Sequence, residues 1–493
     1  MSQGRRITAA ADALLALALA GAFVALAFVT TGGTDLPPNT WVEITAIVIG
    51  AGAAGAVLLG AGRDRRWGGV TLVLFGVLAA LTFASIAWSV APDASWVEAN
   101  RTLSYLAAFG VGIASARLAS GRWVAVVGAI AVAATVISLY ALIAKAFPAS
   151  LNPDESAGRL QAPFGYFNAT GVMAALGLVP CLWAGAQRGR ALVLRVLSPP
   201  AIAVLSSVLV LSYSRGALLA AVIGVGCWFA LAPVRLRSAA ILALGLVGGA
   251  AITAWALARP AIVNDNITLQ ARSTAGHSFG LVLLVVLAAV TLLSIASGLA
   301  MERVAVPDRA RRRVGIALVV LVALIPIGGA AALVASTRGF TGEVSYLWTQ
   351  ATTGSVGNTP GRLANLGSSR ANYWTAGVKV GEHALLVGVG ARGYKTARPR
   401  YIPSLLETDA HSYVIETFAD FGLVGIAISL ALLGAWGIAA RRTLGPRTDR
   451  AGLDETTGER TGLVALLSVV VVFGVHSAVD LTWFIPGVAT PAL

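Results

Sequence analysis

Nearly from end to end, the chain is broken into apolar stretches long enough to cross a bilayer, and that repetition confines it to one class of fold. The stretches fall at about 9–29, 41–61, 68–89, 99–117, 123–146, 166–186, 193–212, 217–232, 239–258, 278–299, 315–335, 412–439 and 461–485. A helix of roughly 20 apolar residues spans the hydrocarbon of a membrane, and there every backbone amide must find its partner within the protein. The expected fold class is therefore all-α: a polytopic membrane helix bundle of about 12–13 transmembrane helices. A soluble domain of 493 residues that is 57% hydrophobic and only 12% charged, with a mean hydropathy of +0.80, could not hide its apolar surface.

The connections between the stretches alternate in charge. One set holds Arg5/Arg6, Arg63/Arg65/Arg66, Arg117/Arg122, Arg188/Arg190/Arg195, Arg235/Arg237, "ERVAVPDRARRR" and "ARRTLGPRTDR", and with Arg460 it carries 22 of the 36 Lys and Arg residues. Of the other 14, eight lie in one long loop. The bias among short loops assigns the basic side to the cytoplasm and the opposite loops to the outside. The formal net charge of +14 has the same origin. No basic run interleaved with aromatics marks a nucleic-acid surface, so no nucleic-acid partner is expected. Arg5 and Arg6 precede an apolar run without a clear small-residue cleavage site, which reads as a retained first helix. The count leaves the tail outside: either one span is miscounted, or the sequence stops where a further helix would begin.

Three regions follow: residues 1–335 with transmembrane helices 1–11, residues 336–410 as an outer loop with amphipathic helices, and residues 411–493 with the C-terminal transmembrane helices. A loop of that length is uncommon unless it has a function. Within it "EVSYLWTQA" reads as a short helix, "SSRANYWTAGVKVGEHALL" as an amphipathic one, and "GVGARGY" as a glycine-rich stop. Because "GVGARG" follows a helix and not a strand, it is not a dinucleotide fingerprint. Cys181 and Cys227 fall inside apolar runs, and the four histidines at 277, 383, 411 and 476 lack metal-binding spacing. Neither a metal nor a cofactor is expected.

The topology brings three polar residues to the outer rim: Arg215 in the tight hairpin "LSYSRGALLA", Arg370 at the start of the loop's amphipathic helix, and His411 at the entrance of the 412–439 span. Taken singly, Arg215 reads as a side chain snorkelling to head groups, Arg370 as a solvated charge and His411 as an interfacial hydrogen bonder. Their shared compartment and depth argue for reading them together. Two guanidinium forks and a titratable imidazole suit a pyrophosphate and a proton transfer. Arg159 and Asn168 bracket a loop with Pro163 and Gly165 and, with Tyr373 and Glu416, are the candidates for substrate binding. Glu416 and Asp420 share a helix face, with Asp420 roughly 13 Å below His411. Glu416 is placed to orient His411 or an arginine, and Asp420 to pair with a polar group on another helix. His476 and Asp480 repeat the i, i+4 relation and are supporting candidates, with an internal structural hydrogen bond the preferred role.

Four segments in order, "GRLQAPFGYFNATG", "LSYSRGALLA", "SSRANYWTAGVKVGEHALLVGVGARGY" and "DAHSYVIETFADFGLVG", resemble the signatures of the O-antigen ligase and O-antigen polymerase superfamily over about residues 150–485. The first five helices, including "IAWSVAPDASW", resemble it in pattern only. The resemblance implies a GT-C type glycosyltransferase in the bacterial cytoplasmic (inner) membrane, its active site facing outside. It implies a polyprenyl-pyrophosphate-linked glycan donor, a glycan, lipid or protein acceptor, membrane lipids as surroundings, and inverting transfer without a metal. It places the essential arginines at Arg215 and Arg370 and the essential histidine at His411, which activates the acceptor or orients the phosphate. Ser412 stands where the family often has Asn, and Asp420 where it usually has Glu. A polysaccharide polymerase is the alternative within the class. A flippase for lipid-linked sugars is the alternative outside it, and the scarcity of charge within the spans argues against that reading.

Overall fold

The computed structural model describes residues 3–59, 68–187, 192–232, 235–303, 357–363, 367–368, 370–402, 408–445 and 455–493, with scattered positions between 309 and 349. The long helices are α1 (Gln3–Thr30), α2 (Leu36–Leu59), α3 (Gly69–Ala84), α4 (Pro92–Leu118), α5 (Trp123–Ala146), α6 (Phe167–Ala186) and α7 (Leu192–Leu211). They continue with α8 (Arg215–Leu231), α9 (Arg235–Leu257), α10 (Leu269–Arg303), α11 (Arg370–His383), α12 (Tyr413–Leu444) and α13 (Glu455–Ser477). Among the described residues there is no strand, and ten helices are long and apolar enough to cross a membrane. Two further spans expected from the sequence are present in other forms. The helix α8 is shorter, and α4 carries the pair Glu98 and Arg101, 3.3 Å apart. The span at 315–335 and the helix expected at "EVSYLWTQA" lie outside the fully described residues.

At the centre stands α6, buried from Asn168 to Ala186 and packed on α5, α7, α8 and α13. Lipid tails are as apolar as leucine, so close van der Waals packing rather than water exclusion holds such a helix. Small residues make that packing close: a Cβ on Gly177 would stand 2.5 Å from that of Ala134 on α5. The periphery differs, with most of α2 and α12 facing outward. The loops with few basic residues meet at one end of the bundle. There Leu160 N–H bonds the Leu211 carbonyl, Asn266 N–H the Ser156 carbonyl, and Val90 N–H the Val389 carbonyl.

One expectation fails at the last span. Instead of running on to residue 485, α13 ends at Ser477. His476 Nδ1 engages Thr482 Oγ1 at 2.8 Å, and Leu481 N–H donates to Asp480 Oδ1 at 2.9 Å. These bonds fold the chain into a turn, so His476 and Asp480 do not share a helix face. The remaining residues turn back into the bundle, where Gly487 N–H reaches Thr30 Oγ1 of α1.

The amphipathic helix of the long loop is α11, which buries Tyr373, Ala376, Gly377, Val380 and Gly381. That spacing of three and four residues is one helix face. Most of it packs on α12. The "GVGARG" stretch then clasps a break in α12. Gly422, at φ 61° and ψ −152°, interrupts the helix, and the freed Leu423 and Val424 amides donate to the Leu385 and Leu386 carbonyls. In return Val389 and Gly390 donate to the Ala419 and Asp420 carbonyls. Gly388, at φ 65°, approaches so closely that a Cβ would stand 2.2 Å from the Asp420 carbonyl carbon. Gly388→Ala is expected to destabilise the protein by about 2–5 kcal/mol, combining left-handed backbone strain with overpacking. Thermal melting of the purified protein measures it, and an unchanged midpoint would show that the clasp contributes nothing.

Candidate functional site

An arginine at the first position of a helix has the wrong sign for the helix dipole. Two helices at this end nevertheless begin that way. Ser214 caps α8, its Oγ accepting the Ala217 N–H at 3.3 Å, so Arg215 opens the helix and its Nη2 donates to the Gly367 carbonyl at 2.9 Å. Arg370 opens α11 and forms an ion pair with Asp480 in the turn after α13. A third arginine, Arg159, approaches from the loop before α6. Its Nε donates to the Ser212 carbonyl at 2.9 Å and its Nη1 to Asn358 Oδ1 at 3.2 Å, while its guanidinium lies over the Phe167 ring.

Asp480 is fully buried and is the hub. Besides Arg370, its Oδ2 accepts from Asn168 Nδ2 at 2.7 Å, and its Oδ1 accepts from the Tyr166 hydroxyl at 2.8 Å. Arg159 Nη2 reaches the other end of the Asn168 amide at 3.5 Å. Arg362, in the turn Pro360–Leu363, completes the group and faces the charges of Arg159, Arg215 and Arg370. Burial raises the Asp480 carboxyl, but Arg370 and the two histidines nearby hold it below its ordinary value. Burial and then the charge of Arg362 push Arg159 down to about 10. Arg362 is lowered by burial and by Arg370. The arginines thus crowd one another, with Asp480 the carboxylate between them among the described residues.

His411 borders this group. Its backbone is left-handed, φ 53°, a rare conformation for a side-chain-bearing residue. Ser412 follows as the cap of α12, its Oγ accepting from Ile415 N–H, which is what an Asn there would do. The His411 Nδ1 lies 3.1 Å from the Asp409 carbonyl. A carbonyl only accepts, so Nδ1 carries a proton and Nε2 keeps the lone pair of the neutral ring. Tyr373 of α11 packs on the imidazole with ring centroids 5.4 Å apart.

Behind His411 a second polar assembly fixes its position. Arg392 pairs with Asp409, lies 3.9 Å from Glu416 and stacks over Phe484. Burial opposes its charge, and Asp409, Glu416, Glu98 and Asp420 more than offset this and push its pKa up. Asp409, which burial would raise, is held down by Arg392. Glu416 Oε2 accepts the Ala410 N–H at 2.6 Å, so it grips the backbone beside His411 and not the imidazole. Asp420 accepts the amides of Arg392 at 2.7 Å and Tyr394 at 3.0 Å, a loop backbone instead of a side chain on another helix.

Of the residues singled out in the sequence, Arg215, Arg370, Arg159, Asn168 and Asp480 lie in one network, with His411 and Tyr373 beside it. His476 lies under α8, its ring 3.5 Å from where a Cβ on Gly216 would stand. Glu416 and Asp420 hold the loop that carries Arg392. Sequence reasoning missed Arg362, Arg392 and Asp409. Asp409 adjoins His411 and was open to notice, whereas nothing local marks Arg362 or Arg392.

Residues 271–430 match the family model described as O-antigen ligase. The matched stretch runs from α10 through α11 into α12 and contains Arg370 and His411, while Arg159, Arg215 and Asp480 lie outside it. No curated protein matches the chain.

Removing one partner of a buried ion pair strands the other, at about 3–5 kcal/mol. Asp480→Asn is expected to lower stability by that order, and the double variant Asp480→Asn/Arg370→Gln to recover part of it. Thermal melting of the two variants decides, and equal midpoints for Asp480→Asn and wild type would remove Asp480 from the hub.

Proposed function

We propose that this member of the O-antigen ligase superfamily transfers a polyprenyl-pyrophosphate-linked glycan to an acceptor hydroxyl on the outer face of the cytoplasmic membrane. Surface polysaccharide assembly is the role of the family, and the donor, acceptor and orientation are the further steps of this reading. The observation that carries it is the grouping of Arg159, Arg362 and Arg370 around Asp480, with Arg215 beside Arg362 and Arg370 and with His411 near the same carboxylate. The outward orientation rests on the concentration of Lys and Arg in the loops at the other end.

The chemistry follows from charge. Among the described residues, four guanidinium groups and one carboxylate leave a net charge of three, positive, at the mouths of α8 and α11, whose first amides also favour anions. A glycosyl pyrophosphate is a diester. When the bond from the anomeric carbon to the phosphate oxygen breaks, the electron pair leaves with that oxygen and the pyrophosphate gains charge. Fixed arginines therefore hold the leaving group more tightly than the donor, which is the difference that lowers a barrier. The acceptor oxygen attacks the opposite face of the anomeric carbon, so the configuration inverts. His411 Nε2 takes the hydroxyl proton as the new bond forms, while the Asp409 carbonyl fixes the imidazole through Nδ1. Tyr373 holds the ring plane.

The reconstituted protein, supplied with lipid-pyrophosphate glycan on one face, tests the assignment. His411→Ala is expected to slow transfer by about 10²–10⁴-fold, the usual worth of a general base. Arg370→Ala is expected to abolish transfer, and Arg362→Ala to weaken it, all three variants inserting normally. Transfer at the wild-type rate in either His411→Ala or Arg370→Ala would overturn the reading.

A further inference from the structure

Lys145 is one of the three lysines in the chain, and it sits where a cation is least expected. It lies in the last turn of α5 and is buried. The carbonyl end of a helix favours a cation, yet a buried ammonium persists only where its donors are used. Here they are used on backbone. Its Nζ donates to the Gly158 carbonyl at 2.9 Å and to the Ala157 carbonyl at 3.1 Å, in the loop that leads to α6. Glu155 and Asp265 face its charge favourably, and Arg272 opposes them.

The same backbone is gripped from the connection between α9 and α10. Asp265 Oδ1 accepts the Gly158 N–H at 2.7 Å, and Asn266 donates its own N–H to the Ser156 carbonyl at 2.7 Å. The approach is so close that a side chain would not fit, since a Cβ on Gly158 would stand 2.0 Å from the Val263 carbonyl oxygen.

The peptide planes show what this grip controls. The Ala157 carbonyl and the Gly158 N–H are two ends of one planar unit, and Lys145 and Asp265 hold one end each. The Gly158 carbonyl shares the next plane with the Arg159 N–H, and Lys145 holds that plane too. The plane after Arg159 is also fixed, because Leu160 N–H donates to the Leu211 carbonyl. The Cα of Arg159 is thus held from both sides, and from it the guanidinium reaches Ser212, Asn358 and Asn168. An arginine gives up much rotamer freedom when it is ordered, so a fixed root lowers the cost of presenting its fork.

We infer that Lys145 and Asp265 are positioning residues for Arg159, setting its guanidinium for the pyrophosphate of the donor without touching the donor themselves. This rests on the proposed role of the arginine cluster. The two residues carry opposite charges, so their shared effect separates position from electrostatics. Loss of the Asp265 charge alone would favour an anion, whereas loss of its hold on Gly158 disfavours one.

Isothermal titration of the purified protein with inorganic pyrophosphate, alongside rates of transfer from the lipid-pyrophosphate glycan, tests the inference. Lys145→Met and Asp265→Ala are each expected to weaken pyrophosphate binding and to lower kcat/KM by about tenfold, the worth of one hydrogen bond to a charged group. Asp265→Asn keeps an acceptor oxygen for the Gly158 N–H and restores both. In the Arg159→Gln background neither loss appears, because a residue acting through Arg159 has nothing left to act on. Should Lys145→Met fail to insert, the Asp265 variants decide alone.

The inference is overturned if Asp265→Ala leaves binding unchanged or tightens it, or if Asp265→Asn falls as far as Asp265→Ala. It is equally overturned if the losses persist undiminished in the Arg159→Gln background, or if wild type binds no pyrophosphate. Pyrophosphate binding that shows the coupling, in a protein that transfers no glycan, would sink the transfer reading and leave the positioning in place.

Discussion

The pair between Arg370 and Asp480 joins the first residue of the loop helix to the turn that ends the last membrane helix. Through the same carboxylate, Tyr166 and Asn168 tie the entrance of the central helix to that turn. Three parts of the chain separated by hundreds of residues are thus fixed by one buried charge. A lone buried carboxylate is expensive, and it persists only where its lone pairs are fully used. Here both oxygens are, and the position of the arginines follows from that requirement.

His411 is fixed by different means. Its place depends on α12 being broken at Gly422, because the break frees amides that receive the Leu385–Gly390 segment. That segment carries Arg392 to Asp409 and Glu416, and those three set the backbone on either side of the histidine. The acidic residues in the first turns of α12 are therefore anchors for a loop. Arg392 faces these carboxylates, and among the described residues Asp480 is the carboxylate that pairs within the neighbouring arginine cluster. The two polar assemblies meet at the imidazole, one holding it and the other facing it.

The bundle and its alternation were legible because two signals agree: hydropathy marks the spans, and Lys and Arg mark one side of them. Arg215, Arg370 and His411 could be read for a related reason, since each sits at the junction of a polar loop and an apolar helix. The hub could not. Asp480 looked like the partner of His476 one turn away, and only the turn after Ser477 sends it to Arg370, 110 residues distant. Arg362 lies in a Pro- and Gly-containing turn that reads as solvent-exposed, and Arg392 adopts a left-handed backbone, φ 58°, that no side-chain pattern announces. The glycines of "GVGARG" were a usable signal read too narrowly. They mark close approach of backbone to backbone, the same property that suits such glycines to a nucleotide, applied here to a broken helix.

The charge of the cluster bears on what kind of ligand the proposed function would bring to it. Bringing four guanidinium groups together at two helix N-termini is electrostatically unfavourable, and Asp480 offsets part of that repulsion. The packing of α6 and the clasp on α12 supply the stability that lets this arrangement persist. Because the protein's own contacts hold these groups, the polyanion of the proposed function would meet them already oriented, with little reorganisation left for the reacting step. A neutral sugar has nothing to offer such a site, and a single carboxylate would neutralise only part of it. A pyrophosphate has both the charge and the spread of oxygens to engage several forks at once. Under the proposed function, its charge also rises as it departs, so the excess of arginine becomes the term that favours bond cleavage.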